Sequence, residues 1–337
     1  MTSTYPHTTI AVLGAGSWGT AMAMAIAQNV PHVLLWGHRS EHLAMIAESG
    51  RNERYLPGIE IPSNIQTESC LEKICEQCQD IILMVPSHAF RSTLQQLKPY
   101  LNTKHRIAWG TKGLDSQGEF LHTVVAQELS AAVPTAIISG PSFAKEVAQH
   151  LPTAVTVTST NQDFADALVQ ALSHETFRVY TNQDLIGVQI AGAVKNVLAV
   201  ASGIADGLGF GANTRAALIT RGIAEMMRLG LKLGGQQQTF MGLAGVGDLI
   251  LTCTDNQSRN RRFGLAIGQG NDVQQAMEAI GQVVEGYQTT AIIQQLAKSK
   301  QVDMPITEQV YKVLYDNVSP QQAVMQLLTR PSKAEAY

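Results

Sequence analysis

The sequence predicts an α/β protein: a doubly wound, mostly parallel sheet over residues 1–185, then an all-helical carboxy-terminal domain over residues 186–337. Three observations carry this reading. Short β-branched runs alternate with helical segments through the first half of the chain. A glycine pattern, Gly14-Ala-Gly16-Ser-Trp-Gly19, directly follows the first of those runs. From about Asp184 the alternation stops and long helical patterns take over. The length of 337 residues fits about two domains of roughly 150 residues each.

In chain order, the expected strands are Thr9–Leu13, Val33–Trp36, Ile81–Val85, Arg106–Trp109, Thr135–Ser139, Ala154–Thr158 and Thr176–Tyr180. Expected helices include TAMAMAIAQN after the glycine turn, then Leu185–Ala205, Ala216–Leu233 and Gln288–Lys298 in the second domain. Hydrophobic residues make up 45% and charged residues 15%, ample for buried cores. A net charge of -3 argues against a broad nucleic-acid or membrane surface. No run of about 18 consecutive apolar residues occurs, so no membrane span is expected. The polar start MTSTYPHTTIAVLGAG passes straight into a strand with no room for a signal peptide, and a cytoplasmic location is expected.

Cys70, Cys75 and Cys78 have the spacing C-x4-C-x2-C, which matches one iron–sulfur pattern. The competing reading makes them small apolar residues on the helix LEKICEQCQD, with Cys75 and Cys78 on one face. The fourth cysteine, Cys253, is far along the chain, and no metal site is expected.

A lone G-x-G-x-x-G is a weak signal, but a strand before it and a helix after it are the context of a dinucleotide cradle. Gly14 makes the tight turn, Gly16 lets a pyrophosphate approach the backbone, and Gly19 allows close helix–strand packing. The helix amino terminus supplies free N–H groups and partial positive charge. The fold is therefore read as Rossmann-type. At the end of the second strand, where a carboxylate would hold an NAD ribose, stands Trp36-Gly37-His38-Arg39-Ser40. Without a carboxylate, and with Arg39 present, a 2′-phosphate is tolerated or favoured; an ordinary surface arginine is the alternative. The expected cofactor is NADP or NAD.

Ligands of open α/β sheets bind beyond the carboxyl ends of the strands. Three such ends here are rich in polar residues and glycine: Pro86-Ser87-His88, Gly110-Thr111-Lys112-Gly113, and Gly140-Pro141-Ser142-Phe143-Ala144-Lys145. Pro141 reads as a first helical position. Lys112 is the candidate ammonium; an ordinary solvated loop lysine is its rival, and His88 reads as local structure. In the helical half, Asp248 follows the glycine-rich GLAGVG, and Ser258-Arg259-Asn260-Arg261-Arg262 comes next. Arginine forks suit phosphate oxygens. One or two of the arginines would face a small phosphate and the rest would lie on the surface. Without aromatic interleaving or a wider basic field, the patch does not read as a nucleic-acid site.

The segments GAGSWGTA, LPTAVTVTS, GAVKN, GFGANTRAALITRG, GLAGVGDLILTCT, NQSRNRR and GQVVEGY together resemble one family over nearly the whole chain, the bacterial NAD(P)-dependent glycerol-3-phosphate dehydrogenases. The resemblance implies reversible reduction of dihydroxyacetone phosphate to sn-glycerol 3-phosphate, feeding glycerophospholipid synthesis. It also implies a role for each matching position. Lys195 of GAVKN would be the catalytic acid/base. Ser17, Trp18, His38 and Ala144 would contact the cofactor, and Lys112 would lie near it. Substrate contacts would come from Lys112, Gly140, Ser142, Lys195, Asp248, Ser258, Arg259 and Asn260. Arg259, Val283 and Glu285 would also touch the cofactor. A small phosphorylated substrate is the expected partner, with no nucleic acid, and a homodimer is the expected assembly.

Lys195 is the only charged residue between Leu185 and Ala205. Burial disfavours an ammonium and lowers a lysine from its ordinary value near about 10.4, which suits proton transfer to a developing alkoxide. Asp248 would offset part of the desolvation and orient the ammonium. Lys195→Met is then expected to cut turnover by roughly 10²–10⁴-fold and leave the fold intact or more stable. The rival readings are a 3-hydroxyacid or phosphogluconate dehydrogenase, a non-catalytic dinucleotide sensor and a nucleic-acid-binding protein.

Overall fold

The computed structural model describes residues 5–331. Two compact units divide the chain: one runs to Asp115 and resumes over Leu121–Leu185, and the other joins Ser116–Phe120 to the chain from Ile186 onward.

The first unit holds one eight-stranded sheet: β1 (Thr9–Leu13), β2 (His32–Trp36), β3 (Ile65–Thr67), β4 (Asp80–Leu83), β5 (Arg106–Trp109), β6 (Thr135–Ser139), β7 (Thr153–Ser159) and β8 (Phe177–Asn182). Its helices are α1 (Ser17–Ile26), α2 (Ser40–Ser49), α3 (Leu71–Gln77), α4 (Ser87–Leu97), α5 (Leu121–Glu128), α6 (Ala144–Ala148) and α7 (Gln162–Leu172). The strand order is β3-β2-β1-β4-β5-β6-β7-β8, parallel except for the antiparallel β6–β7 pair. In β1 Ile10, Ala11, Val12 and Leu13 are all fully buried, as a central parallel strand covered on both faces requires. The order reverses between β1 and β4, so a switch point opens beyond their carboxyl ends.

The register sets that edge. Leu13 pairs with Trp36 and Leu83, and Leu83 with Trp109, so the four strands stop level. Gly14, Met84 and Gly110 each leave the sheet with a backbone N–H bonded to the neighbouring strand. At the opposite end, fully buried Asp80 receives Arg106 Nε at 2.5 Å and Nη2 at 2.6 Å. The Tyr5 hydroxyl also donates to Asp80, and burial first, then that carboxylate, raises the phenol above its ordinary range.

The second unit is built from α8 (Leu185–Gly207), α9 (Ala212–Lys232), α10 (Gln237–Met241), α11 (Asp248–Thr254), α12 (Arg259–Gly268), α13 (Val273–Ile280), α14 (Glu285–Lys300), α15 (Pro305–Tyr315) and α16 (Pro320–Leu328). By length and composition α8 could cross a membrane, but 89% of its most apolar stretch is buried inside the protein, and it serves as a core helix. It packs closely on α12 through paired glycines. A Cβ at Gly203 or Gly264 would collide with the carbonyl of Arg261 or Val200, and one at Gly207 would lie 2.8 Å from Gly268 Cα.

Several local expectations need correction. The short edge strand β3 is not among the expected strands, because IQT is three residues long and falls short of the run of about four to eight that marks a strand. The last strand starts at Phe177, and β4 ends at Leu83 where the chain turns toward Pro86. Cys78 is not on a helical face with Cys75: α3 ends at Gln77 and Cys78 is extended. Both thiols are buried, which pushes them up to about 11 and about 12, the behaviour of small core residues. All four cysteines are free, and the described residues hold no group of three or more His, Cys, Asp or Glu able to bind a metal.

Candidate active site

Two of the three fingerprint glycines are required by packing. Gly14 has φ +128°, and a Cβ there would lie 2.6 Å from the Met84 carbonyl oxygen. A Cβ at Gly19 would collide with the Gly14 carbonyl. Gly16 is different: it is extended, and an added Cβ would meet nothing within 4 Å. Its bare backbone faces open space at the start of α1, whose first N–H groups have no side-chain cap. Ser17 opens that helix. Trp18 follows, and its indole Nε1 is buried with no hydrogen-bond partner, close to Gly110. An open cradle of backbone donors and an orphaned indole N–H fit a dinucleotide pyrophosphate.

At the end of β2, His38 and Arg39 are exposed. Arg39 Nε lies 3.3 Å from His38 Nε2, and Nη2 donates to the Tyr55 hydroxyl at 3.4 Å. The ends of β5 and β6 bring Lys112, Gly140 and Ser142 together: Lys112 Nζ and Ser142 Oγ both donate to the Gly140 carbonyl, at 3.3 Å and 2.9 Å. Pro141 is not a first helical residue. Phe143 caps α6, and Ala144 is its first residue.

In the second unit, Lys195 stands midway along α8 and is only 5% exposed. Its ammonium donates to Asp248 Oδ1 at 2.8 Å and to Thr252 Oγ1 at 3.0 Å. Thr252 Oγ1 in turn donates to the Asp248 carbonyl at 2.6 Å. Asp248 opens α11 after a π-helical turn over Leu243–Gly247. Burial disfavours the ammonium and the adjacent carboxylate favours it, so the two effects oppose. Asp248 is 1% exposed. Removing Lys195 alone would withdraw the cation from a buried carboxylate, which argues that Lys195→Met destabilises the fold rather than leaving it intact. Cys253, next along α11, is buried, and its thiol is pushed up to about 12.

The start of α12 lies beside this cluster. Ser258 is buried and caps α12 by accepting from Arg261 N at 3.2 Å. Arg259 is half-buried, with Nη1 3.5 Å from Gln282 Oε1, next to exposed Val283. Asn260 donates to Asn196 Oδ1 at 3.0 Å and accepts from Gly286 N at 2.9 Å, which places it against Glu285, the first residue of α14. Arg262 is exposed, but Arg261 is not a surface residue. It is 7% exposed, bonds the Cys253 carbonyl at 3.1 Å and pairs with Asp206 of α8.

Sequence reasoning missed Thr252, Asn196 and Tyr55. Thr252 had a usable signal, since it lies four residues after Asp248 and so on the same helical face. Asn196 and Tyr55 had none, because each is defined by a partner distant in sequence.

A family model described as NAD-dependent glycerol-3-phosphate dehydrogenase N-terminus matches residues 9–165, and the corresponding C-terminus model matches residues 184–325. A glycerol-3-phosphate dehydrogenase [NAD(P)+] of Pseudoalteromonas translucida is 52% identical over 97% of this chain and 98% of its own length. The enzyme of that name from Mannheimia succiniciproducens is 50% identical over the same shares. A crystal structure of glycerol-3-phosphate dehydrogenase from Coxiella burnetii, 51% identical, superposes with a TM-score of 0.93 over 96% of this chain and 99% of its own. Two matching family models, relatives of this identity across the full length, and the glycine cradle and buried lysine above lead to one conclusion: the chain belongs to the NAD-dependent glycerol-3-phosphate dehydrogenase family.

Proposed function

We propose that this chain reversibly reduces dihydroxyacetone phosphate to sn-glycerol 3-phosphate with NADPH or NADH, forming the backbone of glycerophospholipids. The observation that carries the proposal is the buried Lys195 ammonium held by Asp248 and Thr252, in a chain whose relatives bear that activity in their names. Residues 1–185 serve as the dinucleotide-binding domain and residues 186–337 as the substrate and catalytic domain.

The cofactor rests on Gly14, Gly16, Ser17, Trp18 and Gly19, with His38 and Arg39 at its 2′ end. Lys112, Ala144, Arg259, Val283 and Glu285 make further contacts. Bound nicotinamide supplies the hydride in reduction and takes it back in oxidation. Substrate contacts are assigned to Lys112, Gly140 and Ser142 of the first unit, and to Lys195, Asp248, Ser258, Arg259 and Asn260 of the second. Arg259 and Asn260 open α12, where a helix amino terminus adds partial positive charge to the guanidinium in favour of a phosphate. Lys195 delivers the proton to the substrate oxygen as it becomes an alkoxide, and removes it in the reverse direction. Asp248 and Thr252 fix the ammonium in place, so little reorganisation is needed when charge develops.

A panel of phosphorylated ketones and hydroxyacids, followed by nicotinamide absorbance, tests the reading. NADPH or NADH should be consumed stoichiometrically with dihydroxyacetone phosphate, and unphosphorylated dihydroxyacetone should be a very poor substrate. Turnover of a plain 3-hydroxyacid or of phosphogluconate, without any of dihydroxyacetone phosphate, would overturn it. A cytoplasmic location and a homodimer belong to the same proposal, and light scattering would read about twice the 36.3 kDa chain mass for the dimer.

A further inference from the structure

Ala15 sits between the first two glycines of the cradle, and its carbonyl is held from within the first unit. Asn52, 1% exposed, donates through Nδ2 to the Ala15 carbonyl at 3.0 Å and to Thr20 Oγ1 at 2.8 Å. The other end of the same amide is fixed by His42, whose Nε2 lies 3.0 Å from Asn52 Oδ1. Turning the amide over would set its oxygen against the Ala15 carbonyl and its NH2 against the imidazole donor. His42 is buried and packs edge-on against the Tyr55 ring at 5.3 Å. The Asn52 backbone contributes as well. Its carbonyl accepts from Tyr55 N at 3.1 Å and Leu56 N at 2.7 Å, fixing the turn that sets the Tyr55 hydroxyl beside Arg39.

The direction of one peptide follows from these contacts. In a trans peptide the C=O and N–H point opposite ways, and no described peptide bond is cis. The Ala15 carbonyl is aimed at Asn52, so the Gly16 N–H is aimed away from it. Gly16 is also the fingerprint glycine with open space at its Cβ position. We propose that Asn52, locked by His42, is a positioning residue that aims the Gly16 N–H at the pyrophosphate of the dinucleotide. This rests on the reading of the glycine turn as the cofactor cradle. The Ala15–Gly16 peptide turns through ψ of Ala15 and φ of Gly16, and the glycine offers little steric resistance, so a side-chain anchor is what fixes its orientation.

The test is ligand binding to the cofactor-free full chain, measured by calorimetry, with melting temperature as the check on folding. Asn52→Asp keeps the shape and replaces the donor with an oxygen facing the Ala15 carbonyl. NADPH and NADH both carry the pyrophosphate, so both Kd values should rise about tenfold or more, the cost of one charge-assisted hydrogen bond. Adenosine 2′-monophosphate has no pyrophosphate and should bind within about twofold of the wild-type value. His42→Phe leaves Asn52 in place but free to turn, and should weaken both dinucleotides by a smaller factor, about threefold.

Unchanged dinucleotide affinity in folded Asn52→Asp would overturn the proposal. An equal loss for adenosine 2′-monophosphate would also overturn it, since that marks collapse of the whole adenosine side. If Asn52→Asp does not fold, unchanged dinucleotide affinity in His42→Phe overturns it instead. A wild-type chain that binds neither dinucleotide would overturn the cradle reading itself, before any variant is compared.

Discussion

Replacing Lys195 with methionine removes one ammonium from a buried pair and separates its structural effect from its chemical one. The carboxylate left behind, Asp248, is 1% exposed and stood 2.8 Å from the lost cation. Breaking a buried pair from one side costs about 3–5 kcal/mol, which lowers the melting temperature of a domain of this size by about 6–20 °C. Removing both charges in Lys195→Met/Asp248→Leu should restore the melting temperature or exceed it, because a buried pair seldom outperforms well-packed apolar residues. Turnover should fall by roughly 10²–10⁴-fold in both variants, the usual contribution of a positioned acid/base. Calorimetric NADPH affinity should stay near normal. The assay pairs a thermal melt with steady-state reduction of dihydroxyacetone phosphate. Near-normal turnover in the folded double variant would refute the proton-transfer role. An unshifted melt in Lys195→Met would refute the ion-pair argument.

Arg39→Asp should lower kcat/KM for NADPH more than for NADH; a wild type that uses NADH and ignores NADPH would contradict the reading of Arg39. Arg259→Ala should lose well over tenfold in kcat/KM for dihydroxyacetone phosphate, since a charge-assisted contact contributes about 1.5–3 kcal/mol. An equal loss with unphosphorylated dihydroxyacetone would show that Arg259 does not grip the phosphate. Glu225 predicts a pH dependence of stability. From α9 it accepts from Ile306 N at 2.5 Å and from Thr307 N at 3.2 Å, at the start of α15, and burial pushes its carboxyl from the ordinary 4.5 up to about 7. With the folded value above the unfolded one, wild-type stability falls as pH rises from 4.5 to about 7, by roughly 3 kcal/mol, and is flat above that. Melting curves of Glu225→Gln should lack this slope, and curves that stay parallel to wild type across the window would rule it out.

The sheet was legible because its signals are local. Three strands, Thr9–Leu13, Arg106–Trp109 and Thr135–Ser139, have the expected ends, and each is a β-branched or aromatic run bounded by turn residues. β3 is too short to signal itself, and Pro141 carried a helix-start signal that the chain does not use, since α6 begins only at Ala144. The helical unit showed its existence but not its internal contacts. In S-R-N-R-R three arginines look alike as letters. Arg262 is exposed, Arg259 half-buried, and Arg261 turned inward to Asp206, a residue 55 positions away. Nothing in the local pattern distinguishes them.

The glycine cradle and the lysine cluster differ in legibility for one physical reason. The cradle is made by backbone, so its requirements fall on near neighbours in sequence: a positive φ at Gly14, and no side chain at Gly19. Those requirements exclude almost every residue but glycine, and the pattern is therefore readable in six letters. The lysine site is made by side chains meeting across helices, Lys195 with Asp248 and Asn196 with Asn260, at separations of 53 and 64 residues. The Asn196–Asn260 pair is brought together by the backbone contact of α8 with α12 at Gly203, Gly207, Gly264 and Gly268. These glycines lie inside helices, where glycine costs about 1 kcal/mol relative to alanine. That cost is offset only where a neighbouring backbone must come close. Glycines four apart on two helices of one chain are therefore a packing signal that can be sought in a sequence, and here they locate the helix pair that carries Lys195 and Arg259.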